Sequence, residues 1–248
     1  MLEIKDINKS FGGQIVLENL NMSFHKGAIY SLVGGNGSGK TTLFNLITGF
    51  LKPDNGQIWF KDKRLDTLSP VSINTKGISR TFQDLRIINQ LTVKENIILS
   101  FKNNPGEKIL NSLLPAGIFK KQYTILSEKA EEILEKIHLT EVRFNLAGQI
   151  SYGQQKLLTI GCCIANDAQL LLLDEPVAGI DSNNYQCIYN LILQLKEEGR
   201  TVLQIEHNHK FIKDLSDNIW FLNLGKAHYF ENYNMFINDS LVKKAYLN

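Results

Sequence analysis

The 248-residue sequence contains no apolar run near the roughly 18 residues that a membrane-spanning helix needs. Its N-terminus, MLEIKDINKSF, lacks the charged segment followed by an apolar segment that directs secretion. From these two absences we expect a chain that neither crosses a membrane nor is exported. Any role at a membrane must then depend on a separate subunit.

Cysteine and net charge are also scarce. Cys162, Cys163 and Cys187 form no CxxC pair, and no His-rich cluster accompanies them. Buried free thiols in a reducing compartment are therefore favoured over metal or redox chemistry, and we expect a cytoplasmic protein. The net charge of +2 gives no reason to expect a nucleic-acid partner, because nucleic-acid binders are usually more basic.

A glycine-rich loop gives the first positive signal. Residues 34–41, GGNGSGKT, match GxxxxGK[ST] between a short apolar strand at 28–33 and an apolar helix. Backbone N–H groups of such a loop point at phosphate oxygens, and the helix dipole adds to the attraction. We expect Lys40 to contact the β- and γ-phosphates and the Thr41 hydroxyl to ligate Mg²⁺. The predicted nucleotide site comprises Gly34, Gly35, Asn36, Gly37, Ser38, Gly39, Lys40, Thr41 and Thr42.

Strand and helix patterns alternate on both sides of a helical middle. This alternation favours a mostly parallel sheet. Residues from about 84 to 167 are mainly helical, and Ala130, Ile133, Leu134 and Ile137 follow the helical spacing. The proline- and glycine-containing segment 103–121 is predicted to be irregular. We therefore predict an α/β P-loop NTPase core over 1–83 and 168–248, with an N-terminal antiparallel β part and an inserted helical subdomain at about 84–167.

An acidic pair follows the apolar strand at residues 170–173. Asp174 ends that strand, where its carboxylate can hold Mg²⁺ through water, and Glu175 can polarise the attacking water as general base. A solvated strand end is the alternative explanation of an Asp-Glu pair. The phosphate loop elsewhere in the chain favours the catalytic interpretation.

Three single residues are weaker candidates. His207, after the strand at 201–205, can donate to the γ-phosphate and position water, although a lone His at a strand end is more often structural. Gln83, at the junction with the helical subdomain, can reach Mg²⁺ or water, although a lone Gln usually lies on a polar surface. Phe11 can stack on the adenine or simply pack.

The stretch SYGQQ at 151–155 opens a predicted helix upstream of the acidic pair. Ser151 and the first backbone amides of that helix form a ready anion site, whereas a polar helix cap is the simpler alternative. Taken alone, SYGQQ indicates a polar helix cap, and the family resemblance given next is what favours the anion site.

Taken in order, these motifs resemble those of the ATP-binding cassette (ABC) ATPases over essentially the full chain. The resemblance identifies a phosphate loop at Gly34, a Q-loop at Gln83, a signature at Ser151, a Walker B strand into Asp174-Glu175, a D-loop at Asp181 and a switch His207. It implies that two chains close head to tail around two ATP molecules, with Mg²⁺ at each site. Contacts to the γ-phosphate held by the opposite chain would come from Ser151, Gly153 and Gln154, and Asp181 joins the nucleotide-binding set.

Several short strings are similar to the ATPase subunits of branched-chain amino-acid importers. They include RTFQ at 80–83, TVKEN at 92–96, AGID at 178–181, IEH at 205–207 and AYL at 245–247. Tyr152 departs from the usual second glycine of the signature, a change that this subfamily accepts. The similarity implies a transport ATPase on the inner face of the cell membrane, working with an identical or different second cassette, membrane-spanning permease subunits and a substrate-binding protein.

Two other cassette functions remain open at this point. One is a soluble ABC ATPase of the iron–sulfur assembly type, and the other is a lipopolysaccharide-export ATPase. Isolation with membrane subunits and the identity of neighbouring genes distinguish them, because an importer is encoded beside permease and binding-protein genes.

Overall fold

The computed structural model describes residues 1–82, 85–102 and 116–247 and has the α/β fold expected from the sequence. The chain divides into two compact units. The first contains Met1–Arg80, Gln169–Ala178 and Ile192–Asn248, and the second contains Thr81–Ala168 and Gly179–Leu191. The first unit carries all the strands named below, and the second is helical.

An antiparallel sheet opens the first unit. It consists of β1 (Leu2–Phe11), β2 (Gln14–Phe24), β4 (Asn55–Phe60) and β5 (Lys63–Arg64), in the order β2-β1-β4-β5. Leu2 pairs with Phe24 on one side and Phe60 on the other, and all three side chains are buried. The first half of β1 buries Leu2, Ile4 and Ile7, which gives this sheet one face toward the core.

The second sheet of this unit is mostly parallel. Its strands are β3 (Ile29–Val33), β6 (Ile78–Arg80), β7 (Leu170–Asp174), β8 (Thr201–Ile205), β9 (Asn218–Asn223) and β10 (Lys226–Phe230). The order is β10-β9-β3-β8-β7-β6, and the β9–β10 hairpin supplies its antiparallel edge. Every residue of β3, β7 and β8 is buried, as expected for strands covered on both faces.

Short helices complete the first unit. They are α1 (Lys40–Ile47), α2 (Pro70–Thr75), α7 (His209–Leu215), α8 (Tyr233–Asn238) and α9 (Ser240–Val242), followed by a π-helical turn at Lys243–Leu247. The larger apolar core joins the two sheets and α1. A smaller one consists of Val33, Ile212, Ile219, Phe221, Phe236 and Val242.

The second unit contains α3 (Val93–Ser100), α4 (Ala116–Lys136), α5 (Tyr152–Ala165), the first ten residues of α6 (Ser182–Glu197) and 3₁₀ turns at Thr140–Val142 and Ala147–Gln149. Helix α3 begins at a capping box in which Thr92 and Glu95 bond each other's backbone amides. Of the four apolar positions predicted at helical spacing, Ala130, Ile133 and Leu134 lie on α4 and Ile137 directly follows it; all four are buried.

The expectation of an irregular segment over 103–121 was wrong for its last six residues. Helix α4 already begins at Ala116, and Gly117 lies in its first turn. Proline and glycine are tolerated at a helix start because the first N–H groups have no partner within the helix. Residues 103–115 lie outside the described part of the chain.

The three cysteines are free thiols, as the sequence indicated. Cys163 is buried, Cys162 and Cys187 are partly buried, and burial raises the pKa of Cys162 to about 11. Among the helices that the structure describes, none combines the length and the apolar character that a bilayer crossing requires.

Candidate nucleotide site

The phosphate loop lies between β3 and α1, as predicted. Residues 34–39 leave the buried end of β3, and Gly39 precedes α1 with a φ of 102°. A Cβ at Gly39 would lie 2.7 Å from Cδ2 of Leu17, so this position excludes a side chain by conformation and by space. The antiparallel sheet therefore packs directly against the loop.

Lys40 closes the loop from inside. Its Nζ donates to the carbonyl oxygens of Gly34 at 2.8 Å and Gly35 at 2.9 Å, and the residue is 7% exposed. Burial lowers the pKa of Lys40, and the carboxylates of Glu175 and Asp174 act in the opposite direction. A cation in this position would meet a phosphate bound by the loop.

The Ser38 hydroxyl indicates that the loop can bind an anion. Its Oγ is buried and has no hydrogen-bond partner among the described residues. A buried polar atom of this kind costs free energy unless a ligand satisfies it. The Ser38 hydroxyl and the Lys40 ammonium group can therefore both donate hydrogen bonds to the oxygens of an anion bound in the loop.

Asp174 ends β7 inside a buried ion pair. Its Oδ2 accepts from Nη2 of Arg80 at 2.9 Å, and the two side chains are 6% and 4% exposed. Arg80 also donates from Nη1 to Oδ1 of Asn45 on α1 at 2.6 Å, and its guanidinium lies over the Phe44 ring. Arg80 thus connects the acidic strand to the helix that follows the phosphate loop.

Glu175 holds an uncommon backbone conformation for a residue other than glycine. Its φ is 49°, and its N–H donates to the Ile205 carbonyl at 3.0 Å. Positive φ is uncommon at a residue other than glycine, and strained backbone of this kind clusters at active sites and ligand-binding segments. Here Oε1 of Glu175 lies 3.7 Å from Nε2 of His207, which brings two of the predicted catalytic residues together.

Glu206 organises the backbone around these two residues. It is 2% exposed, and its carboxylate accepts from the amides of Val177 at 3.1 Å, His207 at 3.1 Å and Asn208 at 3.2 Å. The loops after β7 and β8 are thereby held together. Sequence reasoning assigned no role to Glu206, although an acidic residue directly after the buried strand β8 was an available signal.

The ring nitrogens of His207 face two side chains among the described residues. Besides Glu175, its Nδ1 lies 3.2 Å from the Tyr246 hydroxyl. Burial lowers the pKa of His207, the Lys40 charge lowers it further, and Glu175 opposes the shift. The ring is therefore neutral at pH 7, when one nitrogen carries a proton and the other accepts.

Four further candidates, Thr41, Thr42, Phe11 and Gln83, were predicted near the phosphate loop. Thr41 is exposed and Thr42 half-buried on the first turn of α1. Phe11 ends β1 with 45% exposure and lies under the Lys9 ammonium group, 5.3 Å from Nζ. Gln83 lies outside the described residues.

Within the second unit, the signature opens α5. The Ser151 Oγ accepts from the Gln154 amide at 3.3 Å, and Oε1 of Gln154 accepts from the Ser151 amide at 3.0 Å. This capping box confirms that Ser151 and Gln154 stand at a helix N-terminus. Both residues therefore cap their own helix, whatever further contact they make.

Asn184, which sequence reasoning missed, links the signature to Asp181. A Cβ on Gly153 would lie 2.5 Å from Nδ2 of Asn184, so only glycine fits here. Nδ2 of the same Asn184 side chain donates to Oδ2 of Asp181. Oδ1 of Asp181 accepts from the backbone N–H groups of Asn183 and Asn184. These bonds lower the pKa of Asp181 and cap α6. Tyr152, beside them, is 47% exposed.

Metal ligands were predicted at Thr41, Gln83 and Asp174. No group of three or more His, Cys, Asp or Glu side chains among the described residues is arranged to hold a metal ion. Magnesium needs no such group, since it binds one or two protein oxygens together with phosphates and water. The hydroxyl and carboxylate available here fit that preference.

Comparison with known proteins agrees with these motifs. The family described as ABC transporter matches residues 17–178. The "Probable branched-chain amino acid transport ATP-binding protein LivG" of Methanocaldococcus jannaschii is 37% identical, with 89% of this chain and 85% of that protein covered. The "High-affinity branched-chain amino acid transport ATP-binding protein LivG" of Escherichia coli K12 is 34% identical, with 91% and 89% covered.

Two solved structures are also similar. A nucleotide-free ATP-binding cassette from an ABC transporter superposes with a TM-score of 0.85 at 33% identity, covering 100% of this chain and 99% of the other. A dimeric ATP-binding cassette in a post-hydrolysis state, bound to ADP and Pi, gives 0.77 at 25% identity, covering 93% and 98%.

The ion pair between Arg80 and Asp174 yields a stability prediction. Arg80→Met leaves the buried Asp174 carboxylate without this cation, so we expect the free energy of unfolding to fall by about 3 kcal/mol. Urea unfolding followed by the fluorescence of Trp59 and Trp220 measures it.

The matched control is Lys226→Met. Lys226 and Glu18 form an ion pair at 3.5 Å with side chains 64% and 49% exposed. Breaking such a surface pair changes stability by less than about 1 kcal/mol. Equal, small losses in the two variants would contradict a structural role for the buried pair.

Proposed function

Because the chain belongs to the ABC transporter family of ATP-hydrolysing cassettes, we propose that it is the ATPase subunit of an importer for branched-chain or chemically similar amino acids. The observation that carries the proposal is the meeting of Lys40, Glu175 and His207 at one edge of the parallel sheet. Burial and the Lys40 charge lower the pKa of His207 and Glu175 opposes that shift, while Glu175 also opposes the lowering of the Lys40 pKa by burial; Oε1 of Glu175 lies 3.7 Å from Nε2 of His207.

The phosphate loop would bind the triphosphate of ATP. Backbone amides of residues 34–39, the Ser38 hydroxyl and the Lys40 ammonium group would surround the phosphate oxygens. The exposed Phe11 would stack on the adenine. We assign Mg²⁺ to Thr41, Asp174 and Gln83. When bound, it would neutralise the charge that develops on the phosphate oxygens.

The carboxylate of Glu175 would accept the proton of the attacking water. Its left-handed backbone and the bond from its amide to Ile205 hold it in one direction. His207 would donate from Nε2 to an oxygen of the γ-phosphate. As a neutral donor, it adds no like charge beside Lys40.

The signature would complete the nucleotide site of a second cassette, identical or different. Ser151, Gly153 and Gln154 would contact the γ-phosphate bound by the partner, and Asp181 would join them at the interface. The helix N-terminus at Ser151 supports this assignment, because the positive end of a helix dipole attracts anions. The similar post-hydrolysis cassette is dimeric, which supports a second cassette as the partner.

The remaining proposed partners are the other components of a membrane transporter. We propose permease subunits, a substrate-binding protein and a location on the inner face of the cell membrane, following the named relatives in transport. We place the helical subdomain at about residues 84–167, within the second unit. It would transmit ATP-driven closure to the permease.

Substituting the proposed general base gives the first functional prediction. We expect Glu175→Gln to bind ATP and dimerise with it, while hydrolysis falls by about 10²- to 10⁴-fold, because an amide cannot accept the proton of water. Phosphate release measures hydrolysis, and light scattering measures the dimer. Glu135→Gln removes the same charge from an exposed position on α4 and serves as control. Hydrolysis by Glu175→Gln within tenfold of wild type would refute the role of Glu175.

The trans role of Ser151 can be separated from its capping role. Ser151→Ala and Ser69→Ala each remove a serine whose Oγ accepts the third amide of its helix at 3.3 Å. Each should cost about 1 kcal/mol of stability. Only Ser151→Ala should also reduce ATP-dependent dimerisation and hydrolysis, by at least tenfold. Equal activity in the two variants would restrict Ser151 to helix capping.

The transported substrate is tested in intact cells. Deletion of the gene should abolish high-affinity uptake of radiolabelled leucine and isoleucine, with wild type but not Glu175→Gln restoring it. The tagged chain should be isolated from membranes together with permease subunits. Unchanged leucine uptake, or isolation with soluble proteins only, would exclude an importer of these amino acids.

A further inference from the structure

The C-terminal end of the first unit reaches the catalytic histidine. Asp239 caps the last helical segment, since its Oδ1 accepts from the amides of Leu241 at 2.8 Å and Val242 at 3.1 Å. Val242 is fully buried in the smaller apolar core. The chain then forms the π-helical turn Lys243–Leu247, which directs Tyr246 back toward the sheet.

Aromatic packing fixes the ring of Tyr246. Its centroid lies 5.8 Å from that of His209, 5.9 Å from Phe221 and 6.3 Å from Phe236. A ring held on several sides has little rotamer freedom, so its hydroxyl has a defined position. That hydroxyl lies 3.2 Å from Nδ1 of His207.

The direction of this hydrogen bond follows from the other side of the histidine ring. Nε2 of His207 faces Oε1 of Glu175 at 3.7 Å, and carboxylate oxygens are hydrogen-bond acceptors. An attractive arrangement therefore requires the proton on Nε2. A neutral ring then has a bare Nδ1, which must accept from Tyr246.

The tyrosine is suited to donate. Burial raises the pKa of the Tyr246 hydroxyl, and the nearby Glu206 and Tyr233 raise it further, so the hydroxyl keeps its proton at neutral pH. Burial and the Lys40 charge keep His207 neutral, against the effect of Glu175.

We propose that Tyr246 is a positioning residue for ATP hydrolysis, whose hydroxyl donates to Nδ1 of His207 and keeps the ring proton on Nε2. The inference rests on the role proposed above for His207. It adds that the C-terminal turn is part of the catalytic arrangement, because this turn selects which ring nitrogen can donate to a phosphate oxygen.

A matched pair of variants tests the inference. Tyr246→Phe and Tyr233→Phe each remove one hydroxyl that bonds a histidine Nδ1, that of His207 at 3.2 Å and that of His209 at 3.0 Å. Both keep their aromatic ring and its packing. We expect Tyr246→Phe to lower kcat fivefold to tenfold with KM for ATP changed less than twofold, as for one lost hydrogen bond. Tyr233→Phe should leave both constants within twofold of wild type.

The tautomer itself is measured by ¹⁵N NMR of the histidine rings, with the His207 signals assigned by their loss in His207→Gln. Wild type and Tyr233→Phe should show the Nε2–H form of His207, and Tyr246→Phe a mixture of both forms. An Nδ1–H form in wild type, an unchanged tautomer in Tyr246→Phe, or equal kcat losses in the two variants would overturn the inference. Wild-type hydrolysis by His207→Gln would instead remove the proposed role of His207, a result that the tautomer measurement does not depend on.

Discussion

The parallel pairing of β8 with both β3 and β7 is the constraint on which the site depends. Ile205 lies opposite Leu32 on one side and Asp174 on the other, so the three strands end level. The phosphate loop, Glu175 and His207 each follow one of these ends within a few residues. A shift of one residue would turn every side chain of a strand to the opposite face and move its end relative to the other two, so the geometry of the site depends on this register.

Buried polar groups connect the segments that follow the aligned strands. Arg80 joins Asp174 to the helix behind the phosphate loop, while Glu206 binds the backbone after β7 to the backbone after β8. Charged groups this deep in a protein require partners, and each has several of them. The same bonds that satisfy them position the backbone beside Glu175 and His207, the side chains proposed for catalysis, so stability and preorganisation have a common origin here.

In the second unit, the signature residues 151–155 likewise combine a structural role with their proposed function. Ser151 and Gln154 satisfy the first amides of their own helix, and Gly153 makes room for the asparagine that organises Asp181. A helix N-terminus whose side chains are already ordered presents its dipole to solvent without further rearrangement. The proposed contact with a partner's phosphate would use this preformed surface.

The sequence by itself determined the phosphate loop, the acidic strand end, the family and the parallel sheet, because each depends on neighbouring residues or on a local period. Tertiary structure alone decided that Arg80 pairs with Asp174, Glu206 with the Val177 backbone amide and Tyr246 with His207. The two members of these pairs lie 94, 29 and 39 positions apart in the chain. It also corrected the start of α4, where local proline and glycine signals indicated irregular chain. No spacing rule encodes such distant pairs, since packing brings their side chains together only after the strands have aligned.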